Sequence, residues 1–232
     1  PEWIPQPFRW RNFPEALTSV PFGQYFVNTI IIVLFVEAGV LLTAPMAAFA
    51  FSHLKWKGRN TWFMILLTSL MLPYAVTLIP TFLLWKSLGL VDTYFPLIVP
   101  SWFGGGMFNI FLLRQFFSTI PLELDESAYI DGATPWQVLW KIIAPLSKPV
   151  LITVGIFTFM STWNDLLGPI IYLNSPEKYT LAVGLSTFVG MYSGQWNYLM
   201  AASLMVMLPM LVLFFFAQRY FIEGITLTGL KG

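Results

Sequence analysis

The sequence predicts an all-α integral membrane protein, a helical bundle with five visible transmembrane helices. Its 232 residues are 57% hydrophobic and only 10% charged, whereas a soluble domain usually carries about 25% charged residues. Five apolar segments, at 26–51, 61–85, 95–117, 150–173 and 199–221, have the ~20 residues that a spanning helix needs. None shows the alternation of a membrane barrel. Since lipid forces each segment to satisfy its own backbone hydrogen bonds, the segments are predicted to be helices.

Composition excludes several functions. The chain has no cysteine, which excludes disulfides, thiolate metal sites and cysteine nucleophiles together. Its net charge of +1 and the lack of a basic tract argue against a nucleic-acid partner. The single histidine, His53, lies beside Lys55 and Lys57 at a segment edge. We interpret it as an ordinary interfacial side chain, so no metal site is predicted.

The distribution of Lys and Arg between the loops predicts the orientation, because cytoplasmic loops carry the excess of positive charge. One side carries Lys55, Lys57, Arg59, Arg114, Lys141, Lys148, Arg219 and Lys231, and the other carries Arg9, Arg11, Lys86 and Lys178. The first side is therefore predicted to be cytoplasmic, with residues 1–25 outside. An outside N-terminus without a signal peptide predicts a further helix upstream of Pro1, which would give six spans.

The polar segment 118–149 is predicted to form two short helices in the cytoplasm. Ser118 or Thr119 would cap the first, with Pro121 in its first turn, and Gly132 would stop it. The acidic residues Glu123, Asp125 and Glu126 would lie near the positive end of the helix dipole. Thr134-Pro135 would start the second helix, which carries Trp136, Leu139, Trp140 and Ile143 on one side and ends at Pro145.

The first of these helices presents Leu122, Tyr129 and Ile130 with little sequence nearby to cover them. An amphipathic helix with exposed apolar residues is typical of one that docks into a groove on a partner protein. A helix pair that lies on the membrane surface explains the same pattern. The residues by themselves leave both alternatives open.

Specific stretches of the sequence resemble a known family. Glu126-Ser-Ala-Tyr-Ile-Asp-Gly-Ala133, then Trp136 and the run from Ala144 to Pro149, resemble the "EAA" loop of ATP-binding-cassette (ABC) import permeases. The departure from that pattern is Ser127, which replaces the first alanine. Residues 25–29, 161–169 and 218–232 resemble the carbohydrate-uptake branch, which includes the smaller membrane subunit of the maltose importer.

The resemblance implies a fold and a function. Residues 26–232 would form the transmembrane domain of an importer in the cytoplasmic membrane of a bacterium or archaeon, with a coupling loop at 118–149 and a cytoplasmic tail at 222–232. Two ATPase subunits, a second homologous permease and an extracytoplasmic solute-binding protein would complete it. ATP and magnesium would bind the ATPase, so this chain would hold no cofactor and would not be an enzyme. The implied ATPase-docking residues are Glu126, Ser127, Ala128, Tyr129, Asp131, Gly132 and Ala133, and the implied tail contacts are Glu223, Gly224 and Lys231.

Polar residues inside the apolar segments are candidates for lining a sugar path. They are Glu37, Asn109, Trp163, Asn164 and Asp165, because polar side chains in a membrane usually face a cavity or another helix. Hydrogen bonds between helices are the competing explanation. Gly104-Gly-Gly106 could likewise allow close packing or expose carbonyl groups to a cavity.

Two other functions compete with import driven by a partner ATPase. A secondary carrier or channel for a small polar solute would be expected to show midplane carboxylates and inverted repeats, and the sequence offers Glu37 and Asp165 without a repeat. A membrane enzyme would need a cluster of catalytic side chains that one histidine and no cysteine do not supply. The tail spacing Gly224 to Lys231 lacks the Gly-Lys-Ser/Thr ending of a phosphate-binding loop, so no nucleotide site is predicted.

Overall fold

The structure, a computed structural model, describes the backbone of residues 8–191 and 196–229, and the side chains of residues 8–188, 196–216 and 218. Helices dominate these residues and no strand occurs in them. In chain order the α-helices are α1 (Asn12–Ser19), α2 (Phe22–Ser52), α3 (Arg59–Thr68), α4 (Tyr74–Ser87), α5 (Phe95–Ile98), α6 (Met107–Phe117), α7 (Glu123–Ile130), α8 (Pro135–Val138), α9 (Ala144–Leu146), α10 (Lys148–Trp163), α11 (Leu167–Tyr172), α12 (Leu181–Met191) and α13 (Trp196–Gly229). The predicted all-α membrane fold is confirmed.

Helix α2 is the centre of the bundle. Its 31 residues give a length of about 46 Å at 1.5 Å per residue, enough to cross the hydrocarbon core. Ile32, Val36, Val40, Ala44 and Ala48 are all buried and recur at every fourth position. This spacing places them on one helix face, which packs in a core with residues of α6 and α10.

Span-length helices agree only in part with the predicted segments. In the described part of the chain, Phe22–Ser52, Phe95–Phe117 and Trp196–Phe216 are each long and apolar enough to cross a membrane, and counting two bent helix pairs raises the total to five. The first pair, Arg59–Met71 with Tyr74–Ser87, is bent by 99°. The expectation of one helix over 61–85 is therefore wrong, because Pro73 pushes Leu72 out of the helical region, to a ψ of 117°.

The predicted span 150–173 is also interrupted. Helix α10 ends at Trp163, and α11 starts only at Leu167. Asn164 and Asp165 therefore lie in a break between two helices rather than within a continuous one. The second bent pair is instead Pro135–Leu146 with Lys148–Trp163, at 84°.

The segment 118–149 forms two helical pieces as predicted, but three details were wrong. Ser118 and Thr119 do not cap α7, since their hydroxyls donate to the carbonyls of Arg114 and Phe116 at the end of α6. Helix α7 starts at Glu123 without a side-chain cap, so Pro121 precedes the helix instead of lying in its first turn. Pro145 does not end the second piece either. It lies in the first turn of α9, where a missing N–H is tolerated.

The second helical piece starts as predicted and continues with a π-helical segment. Thr134 forms a capping box with Gln137, and Pro135 occupies the first turn of α8. A π-helical segment, Leu139–Ile143, joins α8 to α9. The side chains of Leu139 and Ile143 are buried in the core that also contains α2.

The loops collect at two ends of the bundle. We call one the basic end, where Arg59 donates to the carbonyls of Ser52 and Leu54 and Arg114 donates to that of Phe51. At the other, which we call the opposite end, Asn28 donates to the carbonyls of Glu177 and Tyr179. Arg59 and Arg114 of the first charge group thus lie at one end of α2, and the loop that carries Lys178 of the second group lies at the other.

Candidate docking helix and translocation residues

Helix α7 lies at the basic end with much of its surface uncovered. Ala128 and Ala133 pack against the core, so one side of the helix faces the bundle. The apolar side chains of Leu122, Leu124 and Ile130 are exposed, the last by 87%. Of the predicted docking residues, Glu126, Ser127, Tyr129, Asp131 and Gly132 are exposed as well. The structure therefore places the predicted set on and just beyond one helix, five of its members open to solvent and two directed at the bundle.

The C-terminus of α7 confirms the predicted glycine stop. Gly132 has φ +82°, a left-handed conformation that glycine adopts without the steric cost of a Cβ. The N–H of Ala133 bonds to the carbonyl of Ala128 at 2.9 Å, and the N–H of Gly132 to that of Tyr129 at 3.1 Å. These bonds satisfy the last carbonyls of the helix. They direct the chain sharply into the Thr134 cap of the next helix.

The exposed surface of α7 is acidic. Glu123, Glu126 and Asp131 are exposed, and none of them forms an ion pair with a cation in the described part of the chain. Burial, and then the charge of Asp125, raise the pKa of the Tyr129 hydroxyl above its ordinary value of 10.0. Tyr129 therefore remains a neutral hydrogen-bond donor at physiological pH.

His53 is not the interfacial side chain that the sequence suggested. Its imidazole is 1% exposed, and Nδ1 lies 2.6 Å from Oδ2 of Asp125, whose side chain is 4% exposed. Nε2 lies 3.0 Å from the carbonyl oxygen of Phe117. The neighbouring lysines concealed this in the sequence, because they mark a helix end whereas the ring turns back into the protein. The structure thus adds His53 and Asp125 to the residues that position α7.

The Trp163-Asn164-Asp165 trio divides between packing and a cavity. Trp163 is 1% exposed, and its indole N–H donates to the carbonyl of Val206 at 3.1 Å. Asn164 donates to the carbonyl of Met160 and contacts Sδ of Met210. Both side chains therefore join α10 to α13. Trp163 also borders an apolar pocket of about 300 Å³.

Asp165 lines a different cavity, and this one contains several polar side chains. Its volume is about 260 Å³, and its polar lining consists of Thr29, Ser161, Thr162, Asp165 and Thr180. Oδ1 of Asp165 accepts from the N–H of Gly168 at 3.0 Å, which fixes the carboxylate at the start of α11. Thr29 and Thr180 were missed in the sequence. They lie 151 positions apart (180 − 29), and nothing local indicates that they meet.

The other two path candidates are directed at helices. Glu37 lies against α10, where a Cβ placed on Gly155 would be 3.6 Å from its Oε2. That oxygen is buried without a hydrogen-bond partner among the described residues. Asn109 donates to the carbonyl of Gly105 at 2.8 Å, within the turn that starts α6. The role of both residues in a path stays a prediction.

The glycine run before α6 allows close packing. A Cβ on Gly105 would lie 2.5 Å from Cγ2 of Val40, so the backbone touches α2 directly. Gly104 donates its N–H to Oγ1 of Thr43 at 2.9 Å. Of the predicted tail contacts, the side chain of Glu223, the surroundings of Gly224 and all of Lys231 lie outside the described residues.

Span-length helices with an exposed acidic helix at their basic end define a multi-pass membrane protein. Residues 39–226 match the family model "Binding-protein-dependent transport system inner membrane component". The chain belongs to this family of ABC importer permeases, which are inner-membrane proteins.

Curated relatives and a solved structure extend the similarity over nearly the whole chain. The "Arabinooligosaccharides transport system permease protein AraQ" of Halalkalibacterium halodurans is 36% identical over 95% of this chain and 79% of its own length. The "sn-glycerol-3-phosphate transport system permease protein UgpE" of Yersinia pestis is 32% identical over 96% of this chain and 81% of its own. A chain of a bacterial ABC transporter involved in import of the acidic polysaccharide alginate matches with a TM-score of 0.83 at 27% identity, over 94% of this chain and 81% of that one.

Proposed function

We propose that this chain forms half of the translocation path of an ATP-driven importer for a sugar or a sugar-like solute. In this proposal α7 is the element that docks on an ATPase subunit. The observation that carries it is the exposed, acidic and partly apolar surface of α7, which ends in a fixed glycine turn. Such a helix is the usual ligand of a groove on a partner protein.

The basic end faces the cytoplasm in this proposal. Lys55, Lys57, Arg59 and Arg114 collect there, as the positive-inside rule requires. Helix α7 lies at the same end through its contact with His53, so it meets a cytoplasmic ATPase. ATP and magnesium bind that partner, and this subunit transmits force without catalysing a reaction.

The substrate class follows from the relatives and from the polar cavity. The named relatives transport arabinooligosaccharides and sn-glycerol-3-phosphate, which are both rich in hydroxyl groups. The hydroxyls of Thr29 and Thr180 and the carboxylate of Asp165 around one cavity can pair with such groups, since a carboxylate accepts several hydrogen bonds. A second homologous permease would supply the other half of the path, and an extracytoplasmic binding protein would deliver the solute. A bacterial alginate ABC transporter that shares the fold of this chain was solved in complex with a periplasmic protein.

Two substitutions in the docking helix test this function. Gly132→Asp and Glu126→Lys, expressed with the partner subunits, are expected to abolish uptake and to weaken recovery of the ATPase with the permease. The bundle is expected to stay folded, because a Cβ on Gly132 meets nothing within 4 Å.

Matched controls lie at the opposite end. Gly89 ends α4 with φ +68° and equally open surroundings, so Gly89→Asp introduces the same backbone strain away from α7. Glu177→Lys reverses an exposed charge there. Both controls are expected to retain the ATPase. Unchanged ATPase recovery and uptake in Gly132→Asp and Glu126→Lys would contradict the docking role, and ATP turnover by the pure subunit would contradict the need for a partner.

A further inference from the structure

The end of α2 at the basic end is a junction of three chain segments. Arg59 and Arg114 donate to the last carbonyls of the helix, from the start of α3 and from α6 respectively. The third segment is α7, which reaches the same place through Asp125. Since the last carbonyls of a helix lack partners within the helix, these donors fix its end.

The His53–Asp125 contact is enclosed on all sides. Both side chains are buried, and the ring of His53 stacks on Phe49 with centroids 5.3 Å apart. Phe117 meets the ring edge-on at 6.5 Å. Contacts with two aromatic rings restrict the imidazole of His53 to one orientation. Because Asp125 bonds to this ring, its position relative to α2 is fixed as well.

The hydrogen bonds of His53 fix the number of protons in the pair. Nε2 faces a carbonyl oxygen, which can only accept, so Nε2 carries a hydrogen. The 2.6 Å contact between Nδ1 and Oδ2 then contains one shared proton, on the ring or on the carboxyl group. In either case the pair is neutral as a unit. Removing Asp125 leaves a buried imidazole nitrogen without a partner, which destabilises that position.

Few other contacts hold α7 to the bundle. Among the described residues, no other side chain of α7 hydrogen-bonds to a different segment, and the hydroxyl of Ser127 bonds within the helix to the carbonyl of Glu123. Its packing on the core depends on the small side chain of Ala128. The direction of α7 relative to the membrane helices therefore depends on the His53–Asp125 pair.

Helix α2 extends from this pair to the opposite end. There Thr29 accepts a hydrogen bond from the N–H of Leu181 at 2.9 Å, and Asn28 holds the carbonyls of Glu177 and Tyr179. One continuous helix thus connects the docking helix to the loop beside the polar cavity. A displacement of α7 is transmitted along it, because packed helices move as rigid elements.

We infer that the His53–Asp125 pair is the joint through which movement of α7 drives α2, and that both residues position the docking helix rather than contact the ATPase or the solute. The inference rests on the proposed function, in which α7 receives the ATPase. Breaking the joint should separate ATP hydrolysis from transport without releasing the ATPase.

The test compares three variants of the complete importer in proteoliposomes. Asp125→Ala removes the acceptor from His53. Asp125→Asn keeps the contact, since its amide can donate to Nδ1 while Nε2–H stays on the Phe117 carbonyl. Ser118→Ala is the control, because it removes an exposed hydroxyl just before α7 that bonds only to the Arg114 carbonyl in α6. ATP hydrolysis, ATPase recovery and uptake of arabinotriose and of sn-glycerol-3-phosphate are measured for each.

Asp125→Ala is expected to retain the ATPase and its hydrolysis but to import about ten-fold less solute per ATP, the size of a typical coupling free energy. Asp125→Asn and Ser118→Ala are expected to match the wild type. A pair with a merely structural role would lower protein yield or melting temperature and leave the ratio of solute to ATP unchanged. That result would overturn the inference, as would failure of Asp125→Asn to restore the ratio.

A second measurement needs no transported solute. In the purified full-length permease, the amide hydrogens of Glu123–Ile130 are expected to exchange about ten-fold faster in Asp125→Ala than in Ser118→Ala, because local opening becomes easier. Equal exchange rates in the two variants would contradict the inference that the His53–Asp125 pair holds α7 in place. If the wild-type importer takes up neither probe but the exchange difference is present, the proposed substrate class fails and the joint stands.

Discussion

The amide of Asn28 joins α2 to the backbone at Tyr179, donating to its carbonyl at 2.9 Å and to that of Glu177 at 2.8 Å. One side chain thus bonds to two carbonyl groups of the loop that precedes α12. Asn28 is itself buried. The contact fixes the loop beside the polar cavity to the central helix.

Asn28→Ala is expected to lower the free energy of unfolding by about 1–3 kcal/mol, since the Tyr179 carbonyl loses its side-chain donor and the Glu177 carbonyl keeps only Gln24. Thermal unfolding of the detergent-solubilised permease measures the change. Gln24→Ala is the control, because Gln24 donates to the same Glu177 carbonyl from an exposed position. A loss as large in Gln24→Ala would show that burial does not determine the effect.

Gly105→Ala and Gly106→Ala separate backbone strain from packing. Both glycines have positive φ, but a Cβ on Gly105 would meet Val40 at 2.5 Å whereas one on Gly106 meets nothing within 4 Å. Gly106→Ala is expected to cost about 1–3 kcal/mol for its positive φ, and Gly105→Ala about 1–3 kcal/mol more for overpacking. Equal melting temperatures for the two variants would contradict the close contact between α2 and this turn.

Trp163→Phe is expected to reduce stability by about 1 kcal/mol through loss of the hydrogen bond to Val206 and to leave the half-saturating solute concentration unchanged. Trp62→Phe serves as the control, since Trp62 is exposed. Unfolding and uptake are measured on the same preparations. A changed solute affinity in Trp163→Phe would assign this indole to the path instead of to the contact between α10 and α13.

Asp165→Asn is expected to raise the half-saturating solute concentration about ten-fold, because the amide can accept fewer hydroxyl hydrogens than the carboxylate. The contact to the Gly168 N–H survives through the remaining oxygen, so the fold is retained. Asn164→Ala tests the neighbouring position, which contacts Met210, and it is expected to alter stability alone. If both variants transport like the wild type, the cavity lined by Asp165 is not on the path.

Asp92 predicts an acid-sensitive contact at the opposite end. The hydrogen bond from Lys178, followed by those from Ser175 and Asn174, holds the pKa of Asp92 well below its ordinary value of 3.8. Because the pKa of Asp92 is lower in the folded state, its ionised carboxylate stabilises the fold fully above the ordinary value of 3.8. This contribution is lost as the pH falls from 3.8 towards the folded-state pKa. Unfolding between about pH 2 and pH 7 is expected to show this loss, and Lys178→Met to reduce it. An equally steep acid loss in Lys178→Met would exclude the ion pair as its cause.

Much of the fold could be predicted because the membrane imposes strong local rules. The apolar segments, the charge difference between their loops and the Gly132 stop each depend on residues close in sequence. The breaks were harder to predict. Pro73 bends its segment by 99°, and Asn164 and Asp165 end a helix that hydropathy alone would continue, since apolar composition does not reveal where backbone hydrogen bonds stop.

The sequence by itself predicted a helical membrane protein, its two differently charged ends and the short polar helix around Glu126 that stops at Gly132. Only the tertiary structure decided which side chains meet. His53, which in sequence looks like a surface residue beside lysines, is buried against Asp125, 72 positions away, and Thr29 shares a cavity with Asp165 and Thr180. The reason is physical: helix formation and membrane insertion depend on local composition, whereas hydrogen bonds between segments depend on the packing of helices distant in sequence.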